Sequence, residues 1–298
     1  MLRISGTKGK FDEKELAGDY SNFIQLNGID VHYEFAKGKA SDCIVVLLHG
    51  FGASTFSYRK ILDDLTEFGD VISYDRPCFG LTVRPKSWDG LNPYTFPAQV
   101  RLLDSIINHF GKSKKVILVG HSAGAGIAAE WSLDHQDRVK ALVLEEPAIL
   151  NAPPVNKFLG KILKTKAFDW IGPRLVAGFQ KTGMKILYAS WVDKEGITEE
   201  VLENYTRPLK IRGWEAAFWE FSRYGVQSRI QNHLAELSVP ALVFVADGDR
   251  IIPPASSRKV AAEITSAKLV EISSCGHIPH EEKPQEFLSA LKNFIHQQ

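Results

Sequence analysis

One short stretch, residues 115–133 with the sequence KVILVGHSAGAGIAAEWSL, constrains the fold more than any other part of the chain. Its first half is a continuous apolar run that ends at Gly120, as is typical of a strand buried on both faces. Ser122 follows between glycines, which allow tight turns and close backbone contacts, and a helical pattern begins directly after it. The stretch therefore predicts a buried strand that turns sharply into a helix, with Ser122 exposed on that turn.

Further apolar runs alternate with helical patterns along the chain. Residues 22–36 hold two alternating runs around Asn27-Gly28, a dipeptide that favours a two-residue hairpin. The other predicted strands are residues 43–50, 71–75, 115–120, 139–146, 241–247 and 268–273, and the clearest helical patterns are residues 58–68, 96–110 and 284–297. This alternation predicts an α/β fold with a mostly parallel sheet flanked by helices and an antiparallel hairpin at its edge.

The alternation breaks between residues 147 and 238, which hold helical and loop patterns and four of the six tryptophans. We interpret this region as an inserted helical lid over the carboxyl edge of the sheet, where open α/β sheets bind ligands. A chain of 298 residues is at the upper end for one core, which fits one domain with a large insertion. The predicted parts are an N-terminal extension (1–20), a core (21–146 and 239–298) and the lid (147–238).

Composition narrows the function classes. The formal net charge of +1 gives no reason to expect a nucleic acid partner. The three cysteines, Cys43, Cys78 and Cys275, are too few for a disulfide framework and lack the spacing of zinc ligands. No apolar run is long enough to cross a bilayer, and the N-terminus lacks the apolar core of a secretion signal. We therefore expect a cytoplasmic protein that holds no metal.

A serine becomes a nucleophile only when a base lies within hydrogen-bonding reach and a third group orients that base. His277 directly follows the last predicted strand, so its loop can return over the sheet edge to Ser122. His280 lies nearer the final helix and is interpreted as a loop or capping residue. A zinc site built on these two histidines would lack further ligands nearby. The sequence thus predicts Ser122 as the nucleophile and His277 as its base.

The orienting acid is expected where a later strand ends. The segment VFVADGDRIIPP offers two aspartates at such a position. Asp249 lies in the loop, where it can reach a histidine ring, whereas Asp247 ends the strand and suits a turn. We therefore predict Asp249 as the acid, and Glu145 and Glu146 at the end of the preceding strand remain a third choice.

Acyl transfer also needs backbone N–H donors aimed at the developing oxyanion. The segment His49-Gly50-Phe51-Gly52 ends a predicted strand, and its Phe51 amide is the first predicted donor. The amide of Ala123, directly after Ser122, is the second. The His49 side chain is interpreted as a structural group that hydrogen-bonds this loop.

Taken together, these segments resemble the α/β-hydrolase superfamily. The matching pieces are HGFGAS (49–54), YDRPCFGLTVRP (74–85), GHSAG (120–124), ADGDRIIP (246–253) and CGHIPHEEKPQEF (275–287). Ser122, Asp249 and His277 follow one another in that family's chain order. The resemblance covers roughly residues 22–147 and 239–298, and it implies an eight-stranded sheet whose first two strands are antiparallel, and hydrolysis without a cofactor.

The resemblance also assigns roles to the loop after the fourth strand. In the family, the side chains at Asp75 and Arg76 hold this loop together, and Phe79-Gly80 makes a turn near the pocket. Cys78 stands where many relatives have glycine, which leaves the shape of this turn open.

A serine nucleophile excludes the family members that open epoxides or displace halide, because these use a carboxylate at that position. Serine members mostly cleave esters, and some cleave carbon–carbon bonds of ring-fission products. Others keep the fold and the triad but act as small-molecule receptors with little turnover. We expect a carboxylic ester hydrolase with a Ser-His-Asp triad that acts on a small to medium apolar ester, and the other two activities remain open.

The substrate pocket is expected to involve Gly50 and His121 beside the serine, together with the lid aromatics Trp191, Trp214 and Phe218. Residues 157–185 carry seven basic side chains against one acid, with apolar residues interleaved. This pattern is typical of a solvated lid face whose apolar side covers the pocket. It leaves open a weak contact with an anionic membrane surface.

Overall fold

A single mixed sheet organises the protein. A computed structural model describes residues 9–18, 21–39, 42–150, 172–174, 176, 178–224 and 228–298. The strands in these residues are β1 (Asn22–Leu26), β2 (Ile29–Ala36), β3 (Cys43–Leu48), β4 (Asp70–Tyr74), β5 (Lys115–His121), β6 (Val139–Glu145), β7 (Ala241–Ala246) and β8 (Ala267–Ile272). They form one eight-stranded sheet in the order β1-β2-β4-β3-β5-β6-β7-β8. Strand β2 is antiparallel to both of its neighbours, and the other pairs are parallel, which confirms the predicted sheet.

Local chemistry explains the hairpin and the central strands. Asn27 and Gly28, between β1 and β2, have φ angles of 52° and 79°, as a two-residue type I′ turn requires. Every residue of β3 and β7 is buried, in agreement with their continuous apolar runs. Parallel strands in the middle of such a sheet are covered on both faces, so they need no polar alternation.

Helices cover both faces of the sheet. The main helices of the described residues are α1 (Glu13–Ala17), α2 (Phe96–Gly111), α3 (Ala123–Asp134), α4 (Phe179–Ala189), α5 (Glu199–Thr206), α6 (Trp214–Tyr224), α7 (Pro254–Glu263), α8 (Pro279–Glu282) and α9 (Pro284–Ile295). Buried side chains of α2, α3 and α7 form one core with the first face, and those of α9 form a second core with the other face. The predicted three-layer arrangement is therefore present.

The helix predicted for residues 58–68 is wrong. The chain instead makes two 3₁₀ turns, Thr55–Tyr58 and Asp63–Glu67. The hydroxyl of Thr66 donates to the carbonyl of Asp63 at 2.6 Å, and such local side-chain bonds compete with a continuous helix. The segment still buries its apolar side chains against the sheet, so the hydrophobic pattern was correct and the backbone type was not.

The insertion between β6 and β7 contributes α4, α5 and α6 to the described residues. Most of the basic segment 157–185 lies outside these residues, so its predicted contact with solvent or a membrane surface stays a prediction, as do the domain boundaries. In the part of the chain that the structure describes, no helix is long and apolar enough to span a membrane.

Candidate active site

Ser122 occupies the turn between β5 and α3. Its φ of 52° and ψ of −114° are strained for a residue with a side chain. Gly124, two residues later, lets the turn pack closely, because a Cβ at this position would lie 2.2 Å from the carbonyl oxygen of Leu48. The turn is thus pressed against the end of β3, and Ser122 is held at the carboxyl edge of the sheet.

Two loops at the same edge bring together a histidine and an aspartate. Nδ1 of His277, after β8, donates to Oδ2 of Asp249, after β7, at 2.7 Å, and both side chains are almost fully buried. The other Asp249 oxygen accepts from the amides of Ile251 (2.7 Å) and Ile252 (3.0 Å). The carboxylate is therefore fixed by three donors, and it fixes the ring of His277 through Nδ1, which leaves Nε2 on the opposite side.

Ser122 and His277 line the same cavity, of about 160 Å³. Its remaining wall is largely apolar and includes Trp214 and Phe218 of the insertion, where the sequence predicts them. Phe51 and His121 also line the cavity, whereas Trp191, the third aromatic predicted in the insertion, does not. The structure thus places the serine and the histidine in an apolar cavity between the sheet edge and the insertion.

Two residues predicted for the pocket lie elsewhere. Trp191 is 2% exposed and packs behind Leu187, which lines the cavity, so Trp191 itself does not reach the cavity wall. Gly50 is also outside the cavity wall. A Cβ on it would lie 2.7 Å from Nδ1 of His121 and 3.1 Å from Cβ of Ser122. Its function in packing is to let the end of β3 approach the serine turn.

The loop that carries the Phe51 amide is held through the carbonyl of Gly50. This oxygen accepts from Nδ1 of His49 at 2.7 Å and from Nη2 of Arg76 at 3.1 Å. The Arg76 amide in turn donates to Nε2 of His49 at 3.0 Å. Burial and the nearby Arg76 guanidinium lower the pKa of His49 to about 3, so the ring is neutral. The predicted structural role of His49 is confirmed.

Asp75 holds the neighbouring loop after β4. Its carboxylate accepts from the amides of Thr55 (2.7 Å) and Leu81 (2.6 Å) and from Nδ1 of His32 (2.8 Å). Burial opposes ionisation, but His32 and the amide donors outweigh it and lower the pKa of Asp75 to about 2. The expected role of Asp75 is therefore confirmed. Cys78 adopts a φ of 86°, so the turn keeps a glycine-like backbone without a glycine.

Replacing Gly80 with alanine is expected to destabilise the fold. Gly80 has a φ of 50°, and a Cβ there would lie 1.9 to 2.3 Å from the carboxyl atoms of Asp75. The free energy of unfolding should fall by about 2–3 kcal/mol, measured by urea denaturation. Gly183→Ala in α4 is the matched control, since no atom lies within 4 Å of the added Cβ. A helical alanine there should be neutral or stabilising by up to about 1 kcal/mol, and equal losses in both variants would contradict the prediction.

Buried hydrogen bonds anchor the loop of His277 to the ends of β5 and β6. Nε2 of His121 donates to the carbonyl of His277 at 2.7 Å. Nδ1 of His280 donates to Oε1 of Glu145 at 2.6 Å, and Nε2 of His280 accepts from the Ser57 hydroxyl. Burial lowers the pKa of both His121 and His280, the latter to about 4, so both rings are neutral. His280 is thus a buried loop anchor, and no group of three or more metal-ligating side chains occurs among the described residues.

Comparison with known proteins identifies the family. A family model for the alpha/beta hydrolase fold matches residues 44–284. The chain belongs to the α/β-hydrolase family. Its relatives include the uncharacterized hydrolase YugF of Bacillus subtilis, which is 25% identical over 279 residues, covering 91% of this chain and 96% of that protein. A second relative is the 2-hydroxy-6-oxo-6-(2'-aminophenyl)hexa-2,4-dienoic acid hydrolase of Metapseudomonas resinovorans, which is 24% identical over 290 residues, 96% of this chain and 94% of that one.

Solved structures agree with this assignment. The crystal structure of the enol-lactonase from Burkholderia xenovorans LB400 superposes with a TM-score of 0.73 at 19% identity, covering 92% of this chain and 99% of that one. At this identity the likeness shows the fold alone. Together with the family match, the relatives identify the chain as a hydrolase of the α/β fold.

Sequence analysis missed one side chain of this α/β-hydrolase site and considered another only as an alternative acid. Tyr205 of α5 lines the cavity, and its hydroxyl donates to Glu281, which also pairs with Arg59 at 2.5 Å. Nothing local marks Tyr205, because its place depends on how the insertion packs on the core. Glu146, which the sequence offered only as a third choice for the acid, lies beside the loop of Asp249.

Proposed function

We propose that this α/β-hydrolase is a serine carboxylic ester hydrolase that acts through an acyl-enzyme on a small to medium apolar ester. One observation carries the proposal. The His277–Asp249 pair, joined at 2.7 Å, borders the apolar cavity into which the strained turn presents Ser122. A base oriented by a buried carboxylate beside a serine that lines the same cavity is the arrangement that activates a hydroxyl for acyl transfer.

The reaction would follow from these positions. Nε2 of His277 takes the Ser122 proton as Oγ attacks the carbonyl carbon, and Asp249 stabilises the resulting imidazolium. The amides of Phe51 and Ala123 hold the oxyanion. The imidazolium then protonates the departing alcohol. A water molecule, deprotonated by His277, attacks the acyl-enzyme and releases the acid.

The cavity supports the proposed substrate class. Its volume of about 160 Å³ is below the roughly 300–1,000 Å³ of pockets for drug-sized ligands, which favours a short acyl chain. The wall includes Phe79, Met184 and Trp214, so an apolar substituent would be desolvated on binding. The insertion supplies part of this wall and would act as a lid over a small-molecule ester.

Hydrolysis of p-nitrophenyl acetate, butyrate and octanoate tests this function. We expect p-nitrophenol release at rates well above buffer, with kcat/KM falling from butyrate to octanoate because the cavity is small. A fluorophosphonate should label the protein at one serine, identified by mass spectrometry. No release above buffer with any of the three esters would contradict the ester hydrolase.

Carbon–carbon bond hydrolysis is the second candidate, because the relative from Metapseudomonas resinovorans is named as a hydrolase of a hydroxy-oxo-hexadienoic acid. The same serine site could cleave a vinylogous diketone. The substrate in that relative's name should be offered beside p-nitrophenyl butyrate. A kcat/KM at least tenfold higher for the dienoic acid would favour carbon–carbon cleavage. Tight binding of a ligand with negligible turnover of both would instead favour a receptor.

A further inference from the structure

Strand β6 ends at Glu145, and Glu146 follows it directly; both residues are fully buried. Glu145 faces the loop of His280, as described above. Glu146 has a φ of 44° and turns its side chain toward β7 and α7. There its Oε1 accepts from the amide of Ala246, and its Oε2 lies 3.3 Å from the hydroxyl of Ser257. The mechanism proposed above uses neither glutamate.

The Glu146 carboxyl group also lies beside the loop of Asp249, since its Oε1 accepts from the Ala246 amide and the Ala246 carbonyl accepts from the Asp249 amide at 3.3 Å. Two adjacent buried carboxyl groups share a proton, because like charges in a dry site cannot both be ionised cheaply. Asp249 is the better stabilised anion, since it accepts from two amides and from His277. Glu146 has one amide and one hydroxyl beside it. The shared proton therefore belongs on Glu146.

The surroundings of Glu146 favour the neutral acid. Burial first, and then the charge of Asp249, raise its pKa far above the usual range of a glutamate. The other titratable groups that act on it are Glu145 beside it, Cys275 after β8 and Arg258 on α7. Burial raises the pKa of the Cys275 thiol, which is thus uncharged. Arg258 is exposed to solvent and pairs with another acid, so it offers little compensation.

We propose that Glu146 is a positioning residue of the hydrolase, which keeps its proton and donates a hydrogen bond to the Asp249 carboxylate while that carboxylate pairs with His277. The proposal rests on the proposed function, since the orientation of His277 matters only if it serves Ser122. The extra donor holds the carboxylate in the plane that faces Nδ1. It also takes up part of the carboxylate's negative charge, which weakens the attraction between that charge and the His277 ring.

Two substitutions distinguish the effect of the Glu146 hydrogen-bond donor from the effect of the volume that its side chain fills. Glu146→Gln keeps a neutral hydrogen-bond donor, and Glu146→Met fills similar space without one. We expect the Gln variant to retain kcat within about threefold and the Met variant to lose about 10- to 100-fold. In the Met variant the acidic limb of the kcat/KM profile should move to higher pH, because an Asp249 without this donor stabilises the His277 imidazolium more strongly. A role in packing alone would leave that limb at the wild-type pH.

The Gln variant gives the sharpest contrast. If Glu146 is protonated, Glu146→Gln exchanges one neutral group for another, and the acidic limb stays where it is. If Glu146 is ionised, the same change removes a negative charge near His277, and the limb moves to lower pH. That second result would overturn the proposal. Ser257→Ala is the matched control, since it perturbs the surroundings of Glu146 without touching Asp249, and it should leave the limb unmoved.

Infrared spectroscopy tests the proton without any turnover. The difference spectrum between the wild type and Glu146→Gln at pH 7 should contain the C=O stretch of a protonated carboxylic acid. The same band should appear when both proteins also carry Ser122→Ala. An inactive wild type that shows the band would refute the ester hydrolase and leave the proton assignment standing. A missing band in an active enzyme would refute the proton assignment alone.

The pH dependence of stability provides a second readout. Glu146 is protonated in the folded state and ionised in the unfolded chain above the usual pKa of a glutamate. Folding then takes up a proton. The ratio of folded to unfolded protein therefore falls about tenfold for each unit by which the pH rises. The Gln variant lacks this dependence. Its advantage over the wild type in urea denaturation should therefore widen between pH 6 and pH 9, and a constant difference would contradict a protonated Glu146. Urea denaturation also checks that the Met variant is folded, because this substitution leaves the Ala246 amide without its hydrogen-bond acceptor.

Discussion

Replacing Ser122 with alanine is expected to lower kcat for p-nitrophenyl butyrate by a factor on the order of 10⁴–10⁶, the usual loss when a triad nucleophile is removed. Oγ of Ser122 is the atom that would bond to the acyl carbon, and an alanine side chain has no atom that can replace it. Steady-state release of p-nitrophenol measures the loss. Incorporation of the fluorophosphonate, followed by mass spectrometry of the intact protein, should disappear in the same variant.

A loss of activity counts only if the fold is intact. Ser132→Ala is the matched control, because Ser132 is a buried serine of α3, the helix that follows Ser122, and its hydroxyl donates to the Ala128 carbonyl. It should leave kcat unchanged. Turnover by Ser122→Ala within tenfold of the wild type would contradict a nucleophilic Ser122. Because Ser122 sits at a φ of 52°, Ser122→Gly should abolish activity yet raise the free energy of unfolding by about 1 kcal/mol.

The elements that the sequence predicts well are those with a strong local cause. Asn27-Gly28 demands a two-residue turn, and the apolar runs of β3 and β7 can be stable only in the middle of a sheet. Residues 58–68 show the limit of such reasoning. Their apolar spacing matches a helix face, but the Thr66 hydroxyl bonds to the backbone and the chain makes 3₁₀ turns.

The candidate site shows a similar division. Chain order and strand ends were enough to bring His277 to Asp249, since loops after parallel strands meet at one edge of the sheet. The pocket wall was predicted less well, because Trp191, which follows α4, and Trp214 of α6 lie in the insertion, whose packing has no local signal. The sequence could not distinguish Glu146 from the adjacent acid Glu145. Strand alternation separates their faces, but it does not say which face meets Asp249.

Asp249→Asn is expected to lower kcat by about 10⁴-fold while leaving the loop in place. The amide oxygen of an asparagine can still accept from the amides of Ile251 and Ile252. Its NH₂ group, however, would face Nδ1 of His277 and force the proton onto Nε2, the nitrogen that must accept the Ser122 proton. Activity toward p-nitrophenyl butyrate between pH 6 and pH 9 measures the loss. Asp247→Asn, an exposed aspartate two residues away, should change kcat by no more than about twofold.

The double variant Asp249→Asn/Glu146→Met decides whether Glu146 acts through Asp249 or replaces it. A residue that only positions Asp249 has nothing left to position once the carboxylate is gone, so the second substitution should cost almost no further activity. If Glu146 instead supplied a second acid to His277, the residual activity of Asp249→Asn would depend on it and would fall again in the double variant. A double-mutant cycle on kcat separates these cases, because a coupling energy that cancels the whole effect of Glu146→Met is expected only in the first.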